Sequence, residues 1–269
     1  MIVLTAHQPV YLPWLGLFHK ISLADKFVFF DEVQYLPKDW MNRNKIKTHN
    51  GSLWLTVPVL RKGYRDLKTN EIMINNSIDW RKKHLNTISL NYKKAPYYER
   101  YIDFFKDVYS KSWTYLADLN EYMLKWFLDE LKIKVDFLKA SDCDFTGTKS
   151  DLVLDMVKKL GAKTYIFGSL GKDYANEEDF YQSKINPIFQ NYQHPSYPQL
   201  HGEFISHLSV LDLLFNCGPG SYKILTSSNI QKVDLKSDIS ASSLNDLRVL
   251  ASLDLARRWR DRRTMGNRI

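Results

Sequence analysis

Cysteine is scarce in this chain: Cys143 and Cys217 are the two in 269 residues. They form no CxxC pair, which argues against a disulfide framework or a thiolate metal centre and for inert, buried thiols. The start, MIVLTAHQPV, has neither a basic head nor a small-residue cleavage site, so no secretory signal is expected and the cytoplasm is the expected compartment. No run of about 18 apolar residues occurs, so no membrane-spanning helix is expected. Phosphate-loop signatures are missing as well. Thr146-Gly147-Thr148-Lys149-Ser150-Asp151 lacks the glycine and spacing of a Walker A loop, and Gly168-Ser169-Leu170-Gly171 is not GxGxxG. His194, His201 and His207 stand at no familiar ligand spacing, so no metal site is expected. Arginine is rare up to residue 231, with five against 24 lysines, whereas 232–269 carries seven arginines, two lysines and five aspartates. That tail supplies half of the net charge of +8. The mildly basic remainder suits an anionic small substrate and gives no ground for nucleic-acid binding.

Aromatic residues are abundant, at 14% with 16 Tyr. Such side chains pair a stacking face with a polar tip and can line a cleft. Ile2–Thr5 and Lys26–Phe30 read as apolar strands, separated by a proline-containing loop and a helix over 14–24. Ser52–Leu60 reads as a strand that pairs with Leu67–Ile74 in an antiparallel hairpin. A helical block over 79–131 must break at Ala95-Pro96. Strands over 134–139, 163–168 and 186–190 alternate with helices over 149–160 and 206–216. The expectation is an α/β fold: a largely parallel, Rossmann-like sheet with a helical insertion and a local antiparallel hairpin. Residues 1–231 are expected to form one domain. The tail from 232 to 269 is set apart, as an expression scar, a frame change or a basic helix.

The segment from His7 to Arg43 carries the densest chemistry. His7, Gln8, Tyr11, Trp14 and Lys20 follow the first strand, at the carboxyl edge where open α/β sheets bind ligands. The amides of the first helix would favour an anion there. His7 has the ordinary pKa suited to proton transfer near neutrality. Asp31 ends the second strand and is expected to share the cleft, orienting His7 or holding an amine. Gln34, Trp40, Asn42 and Arg43 follow, with the Arg43 fork able to clamp carboxylate or phosphate. Lys149 opens a helix and could hold a phosphate; the alternative there is N-capping by Thr148 or Ser150. Gly168, Gly171 and Tyr174, with the polar-aromatic Tyr192–Gln199 stretch that includes His194, are expected to close the cleft from the other side.

The run HQPVYLPWLGLFHKISLADKFVFFDEVQY, followed by Trp40-x-Asn42-Arg43, resembles the opening of the WbqC-like family. GAKTYIFGSLGKDY, YQHPSYPQ and LSVLDLLFNCGP, which contains Asp212, resemble its later motifs, so the likeness spans residues 2 to 225. The resemblance implies a bacterial protein of O-antigen or other surface-polysaccharide synthesis. It further implies a glycine transferase that aminoacylates a nucleotide-linked amino sugar, with no catalytic role attached to any one motif residue. On this reading His7 and Asp31 are catalytic, Lys20 and Arg43 anchor an anion, and Tyr11 and Trp14 stack on sugar or base. The cofactor stays open, and aminoacyl-tRNA is the one nucleic acid in view, as donor. Two rivals remain: a HIGH-like nucleotidyltransferase or ATP-dependent ligase, though HQPVYLPW replaces HxGH, and a non-catalytic sugar-nucleotide binding protein.

Overall fold

The computed structural model describes residues 1–60 and 62–235. Residues 1–229 form one compact unit, and the described part of the second, 230–235, is a helical turn in which the Gln231 amide donates to the Asp234 carboxylate. The tail read from residue 232 lies, from 236 on, outside the described residues.

Among the described residues, seven strands form two sheets. β1 (Val3–His7), β2 (Lys26–Phe29), β5 (Asp136–Lys139), β6 (Thr164–Phe167) and β7 (Asn186–Phe189) make a five-stranded parallel sheet in the order β5-β2-β1-β6-β7. The chain builds outward from β1 through β2 to β5, then returns to the other side of β1 for β6 and β7. Counted among the parallel strands alone, that order is 3-2-1-4-5, with the direction reversing between β1 and β6.

Both faces of this sheet are covered, which is why its strands read as nearly unbroken apolar runs. Phe27 and Phe29 point into a large core with α1 (Leu15–Leu23) and the helical block. Leu4, Ala6 and Val28 point the other way, onto Val153, Met156 and Val157 of α5 (Lys149–Lys159) and Phe180 of α6 (Glu177–Gln182). α1 is buried almost all round, including its lysine and histidine.

The helical block divides at two places. α2 (Trp80–Tyr92) and α3 (Tyr98–Ser110) flank the expected proline break, and the chain also leaves the helix before α4 (Leu116–Glu130). There the chain pairs with 72–74 at an antiparallel bridge between Met73 and Tyr115, with Ile74 N donating to Thr114 O and Leu116 N to Ile72 O. The last expected helix starts later than its apolar run: α7 (Val210–Cys217) begins after Ser209, whose side chain caps it, and α8 (Ser221–Thr226) follows.

The hairpin exists with a different partner. β3 (Arg43–Thr48) pairs antiparallel with β4 (Gly51–Thr56) through a two-residue His49-Asn50 turn. Leu67–Ile74 instead winds through one short 3-10 turn, Thr69–Glu71, and touches the far end of the expected strand at one bridge, Val59 to Ile74. β3 hides behind a polar sequence because its buried Asn44 and Lys47 donate to Leu12 O and Glu203 O. The Asn50-Gly51 dipeptide, with Gly51 at φ 102°, was the legible signal.

Candidate functional site

A cavity of about 600 Å³ opens at the carboxyl edge of the parallel sheet, across the point where the strand order reverses. Its floor is the ends of the strands: Ala6 and His7 of β1, Phe30 after β2, Gly168 after β6 and Gln190 after β7. Trp14, which caps α1, and Leu17 and Lys20 within it stand three residues apart and all line the cleft. Trp40 and Asp39 form one wall, and Lys149, Leu152 and Val153 from the start of α5 form the opposite one.

Lys20 is 3% exposed, and Nζ donates to the Ala6 carbonyl at 2.9 Å. Among the described residues it makes no ion pair, and burial lowers its pKa to about 7. His7 Nδ1 lies 2.8 Å from the Gln8 carbonyl, which can only accept. Nδ1 therefore carries the proton and Nε2 keeps its lone pair. Burial, and then the Lys20 charge, lower the His7 pKa to about 3. The sequence reading made His7 the group that titrates near neutrality; in the structure Lys20 is that group, and His7 is a neutral acceptor.

A series of aromatic rings runs from the cleft to the hairpin. His7 meets Trp14 edge-on at 5.5 Å, Trp14 meets Trp40 at 5.7 Å, and Trp40 meets Trp54 at 5.2 Å. Gln8 Nε2 donates to Asp39 Oδ2 at 3.0 Å, and Asp39 Oδ1 accepts from the Trp40 amide. Across the cleft, the turn after β6 depends on Gly171: a Cβ there would lie 2.5 Å from Phe167 Cβ. Gly168 differs, since its added Cβ would meet only Lys20 Nζ, at 4.0 Å. At α5, Thr148 occupies the cap position without a side-chain cap bond, and Ser150 Oγ instead accepts from Asn176 N. Lys149 holds a left-handed φ of 49°, an uncommon backbone for a residue with a Cβ.

The structure thus brings together His7, Gln8, Trp14, Lys20, Trp40, Lys149, Gly168, Gly171 and Tyr174. It places the other candidates elsewhere. Asp31 is buried, but its carboxylate accepts from Ser141 N at 3.0 Å and Ser141 Oγ at 2.7 Å, with Lys139 Nζ at 3.9 Å. It ties β2 to the end of β5 and does not orient His7. Tyr11 lies in the core, its hydroxyl bonded to His84 and Tyr109. Gln34 bridges to Lys68. Asn42 and Arg43 line a different cavity. His194 packs on His207, and its Nε2 accepts from the His207 amide. Asp212 is fully buried and accepts from Tyr92 OH, Tyr197 OH and Gln199 Nε2, so the Tyr192–Gln199 stretch is fastened to α7 and α2 and does not wall the cleft. The two cysteines are unpaired, with burial pushing Cys217 up to about 11 and Cys143 above its usual value.

Sequence reasoning missed Asp39, Tyr165 and Gln190 as cleft residues. Gln190 was legible as the end of β7. Asp39 was not, because only the backbone path of 36–40 returns it to Gln8.

The parallel α/β sheet, with an aromatic-walled cleft at the point where its strand order reverses, is of the doubly wound type. The chain belongs to the WbqC-like protein family, whose family model matches residues 8–224. It is 33% identical over 213 residues to an uncharacterized protein of Mycobacterium tuberculosis, Rv1507c, an alignment covering 78% of this chain and 92% of that protein. No solved structure matches the chain. No helix among the described residues is long and apolar enough to cross a membrane.

Proposed function

We propose that this protein is an acyltransferase that binds a nucleotide-linked amino sugar in the sheet-edge cleft and aminoacylates its amine, with glycine as the acyl group. The observation that carries the reading is the pairing, in one cleft, of a buried lysine that makes no ion pair among the described residues and a neutral imidazole whose Nε2 is an acceptor. Lys20 suits a phosphate, and Trp14 and Trp40 offer faces for base or sugar. Asp39 is the acid on the cleft wall and suits the incoming ammonium, the part assigned to Asp31 from sequence.

In the transfer, the neutral sugar amine attacks the acyl carbonyl, the new C–N bond forms, and the bond from carbonyl to leaving group breaks. His7 Nε2 takes the amine proton and returns it to the leaving group. A phosphate on Lys20 offsets the charge that holds the His7 pKa down, so substrate binding itself raises the basicity of the imidazole. Surface-polysaccharide synthesis in the cytoplasm is the setting this substrate implies.

The test incubates the chain with a dTDP-4-amino sugar and either glycyl-tRNA or glycine with ATP, read by mass spectrometry. A glycyl mass gain on the sugar, lost in His7→Gln, is the expected result. No gain with either donor, from protein that binds the sugar nucleotide, overturns the reading. The 3-2-1-4-5 order, with a histidine loop directly after β1, supports a second reading, nucleotidyl transfer or ATP-dependent ligation. Pyrophosphate release from ATP or CTP without acyl transfer would favour it.

A further inference from the structure

A second cavity, of about 710 Å³, lies beside the hairpin. Both charged side chains on its described wall are cations, Arg43 and Lys38, among Tyr35, Tyr64, Asn42 and Asn75. Arg43 is the first residue of β3, and its guanidinium lies over the Trp54 ring at 4.3 Å from the centroid. One of its terminal nitrogens donates to the Lys38 carbonyl. Its Nε is buried and has no acceptor among the described residues. A planar cation held by a ring and a carbonyl, with its buried Nε–H and further N–H groups lacking an acceptor among the described residues, is an oriented oxyanion receptor. Nothing acidic on the described wall competes for it.

We infer that this second cleft is a separate oxyanion site, binding a ligand that presents a phosphate or carboxylate to Arg43 and an apolar or planar body to Tyr35 and Tyr64. The two clefts share one wall. Within the loop 37–40, Asp39 and Trp40 face the first cavity while Pro37 and Lys38 face the second. Lys38 turns the chain between them with a left-handed φ of 66°. The ring series Trp14–Trp40–Trp54 continues to the Arg43 guanidinium. Two ligands held on opposite sides of one short loop is the arrangement of a protein with two substrates, or of one with a substrate and an effector. The second site stands whether or not the first carries acyl transfer.

The intact chain is titrated calorimetrically with inorganic phosphate and, separately, with acetate. The wild type should take up two equivalents of at least one of these anions. Arg43→Gln should lose one of them, weakened tenfold or more, and Lys20→Gln the other. If Arg43→Gln keeps both, or if the chain binds a single anion that Lys20→Gln alone removes, the second site is overturned. A single anion that only Arg43→Gln removes supports the second site and counts against an anion on Lys20. Phenylglyoxal labelling of wild-type Arg43, mapped by peptide mass spectrometry, does not depend on a variant folding. The anion should slow Arg43 labelling at least threefold, and Lys20→Gln should leave that protection intact. Protection by phosphate alone points to a phosphate ligand, and by acetate alone to a carboxylate; protection by neither overturns the site.

Discussion

The two clefts hold their positive charge in opposite ways. In the sheet-edge cleft the buried cation, Lys20, is stripped of water, bonded to one carbonyl and lowered to about 7, with the exposed Lys149 on the cleft wall. In the hairpin cleft it is an arginine resting on an exposed tryptophan, with an exposed lysine next to it. A guanidinium stays charged at any physiological pH and is less strongly hydrated than an ammonium, so the second cleft is suited to holding. A desolvated ammonium near its own pKa changes charge when a ligand arrives, and it sits beside an imidazole that responds to that change. The first cleft is therefore suited to chemistry. Low dielectric strengthens every interaction there, whereas charges at an exposed rim are screened.

The largest predicted effect follows from that contrast. On the proposed acyl transfer, His7→Gln should lower kcat by on the order of 10²–10⁴-fold, with KM for the sugar nucleotide within about threefold, because loss of the proposed general base acts on the transition state. Arg43→Gln should do the reverse, raising a KM with little change in kcat. Steady-state kinetics on both variants would break the comparison if the two profiles matched.

Lys20→Met comes next. Binding of a phosphate-bearing ligand should weaken by on the order of 10–100-fold, the worth of a charge-assisted hydrogen bond. Stability should move the other way. The folded pKa of Lys20 lies below its ordinary 10.5, so between about 10.5 and 7 the unfolded chain binds a proton that the folded chain does not. Wild-type stability is accordingly lost as pH falls through that window and lost no further below it. The methionine variant avoids this loss. Its advantage over wild type should grow from near zero at pH 10.5 to on the order of a few kcal/mol at pH 7. Urea denaturation of both proteins at the two pH values checks it, and a constant gap would show that Lys20 is not the group titrating.

What could be read from the sequence divides along similar lines. The β1–α1 junction is local, so a strand, a proline loop and a helix sufficed to place His7, Trp14 and Lys20 together. Asp31 was misplaced because its fate depends on strand order. β2 pairs with both β1 and β5, and the aspartate at its end turns to Ser141 on the β5 side. Nothing within the first 31 residues reveals that a strand over a hundred residues later arrives there. β3 was hidden for a related reason: RNKIKT reads as polar, and its buried polar atoms are satisfied by residues distant in sequence. The His7 pKa was misjudged because desolvation and the nearby ammonium are tertiary properties. The motifs around Asp212 were legible as important but not as architecture. Their carboxylate is consumed by three internal donors.

A smaller effect is expected from Gly171→Ala. The new methyl group would meet Phe167 at 2.5 Å, so the turn after β6 must shift. Overpacking of this kind costs about 1–3 kcal/mol, which thermal denaturation would register. The distortion falls on the wall of the first cleft alone, so phosphate protection of Arg43 should persist while sugar-nucleotide affinity falls. Loss of both would mean that the two clefts are mechanically one.

Asp39→Asn is the mildest change and the most direct probe of the shared wall. Asp39 anchors the loop from the first cleft's side, accepting from Gln8 Nε2 and from the Trp40 amide, while Arg43 anchors it from the second by donating to Lys38 O. An asparagine keeps the shape but has one acceptor oxygen, so it keeps one of the two bonds without its charge and loses the other. The loop should loosen without unfolding. If it transmits occupancy between the clefts, phosphate should alter sugar-nucleotide affinity in the wild type, and the sugar nucleotide should alter phosphate affinity by the same factor. Asp39→Asn should bring that factor toward one while changing each separate affinity by about two- to fivefold. Titrating each ligand in the presence and absence of the other gives all four constants. Equal coupling in wild type and variant would leave two independent sites that merely adjoin. Coupling abolished by Asp39→Asn would make the five residues from Leu36 to Trp40 the link between a cleft that holds and a cleft that reacts.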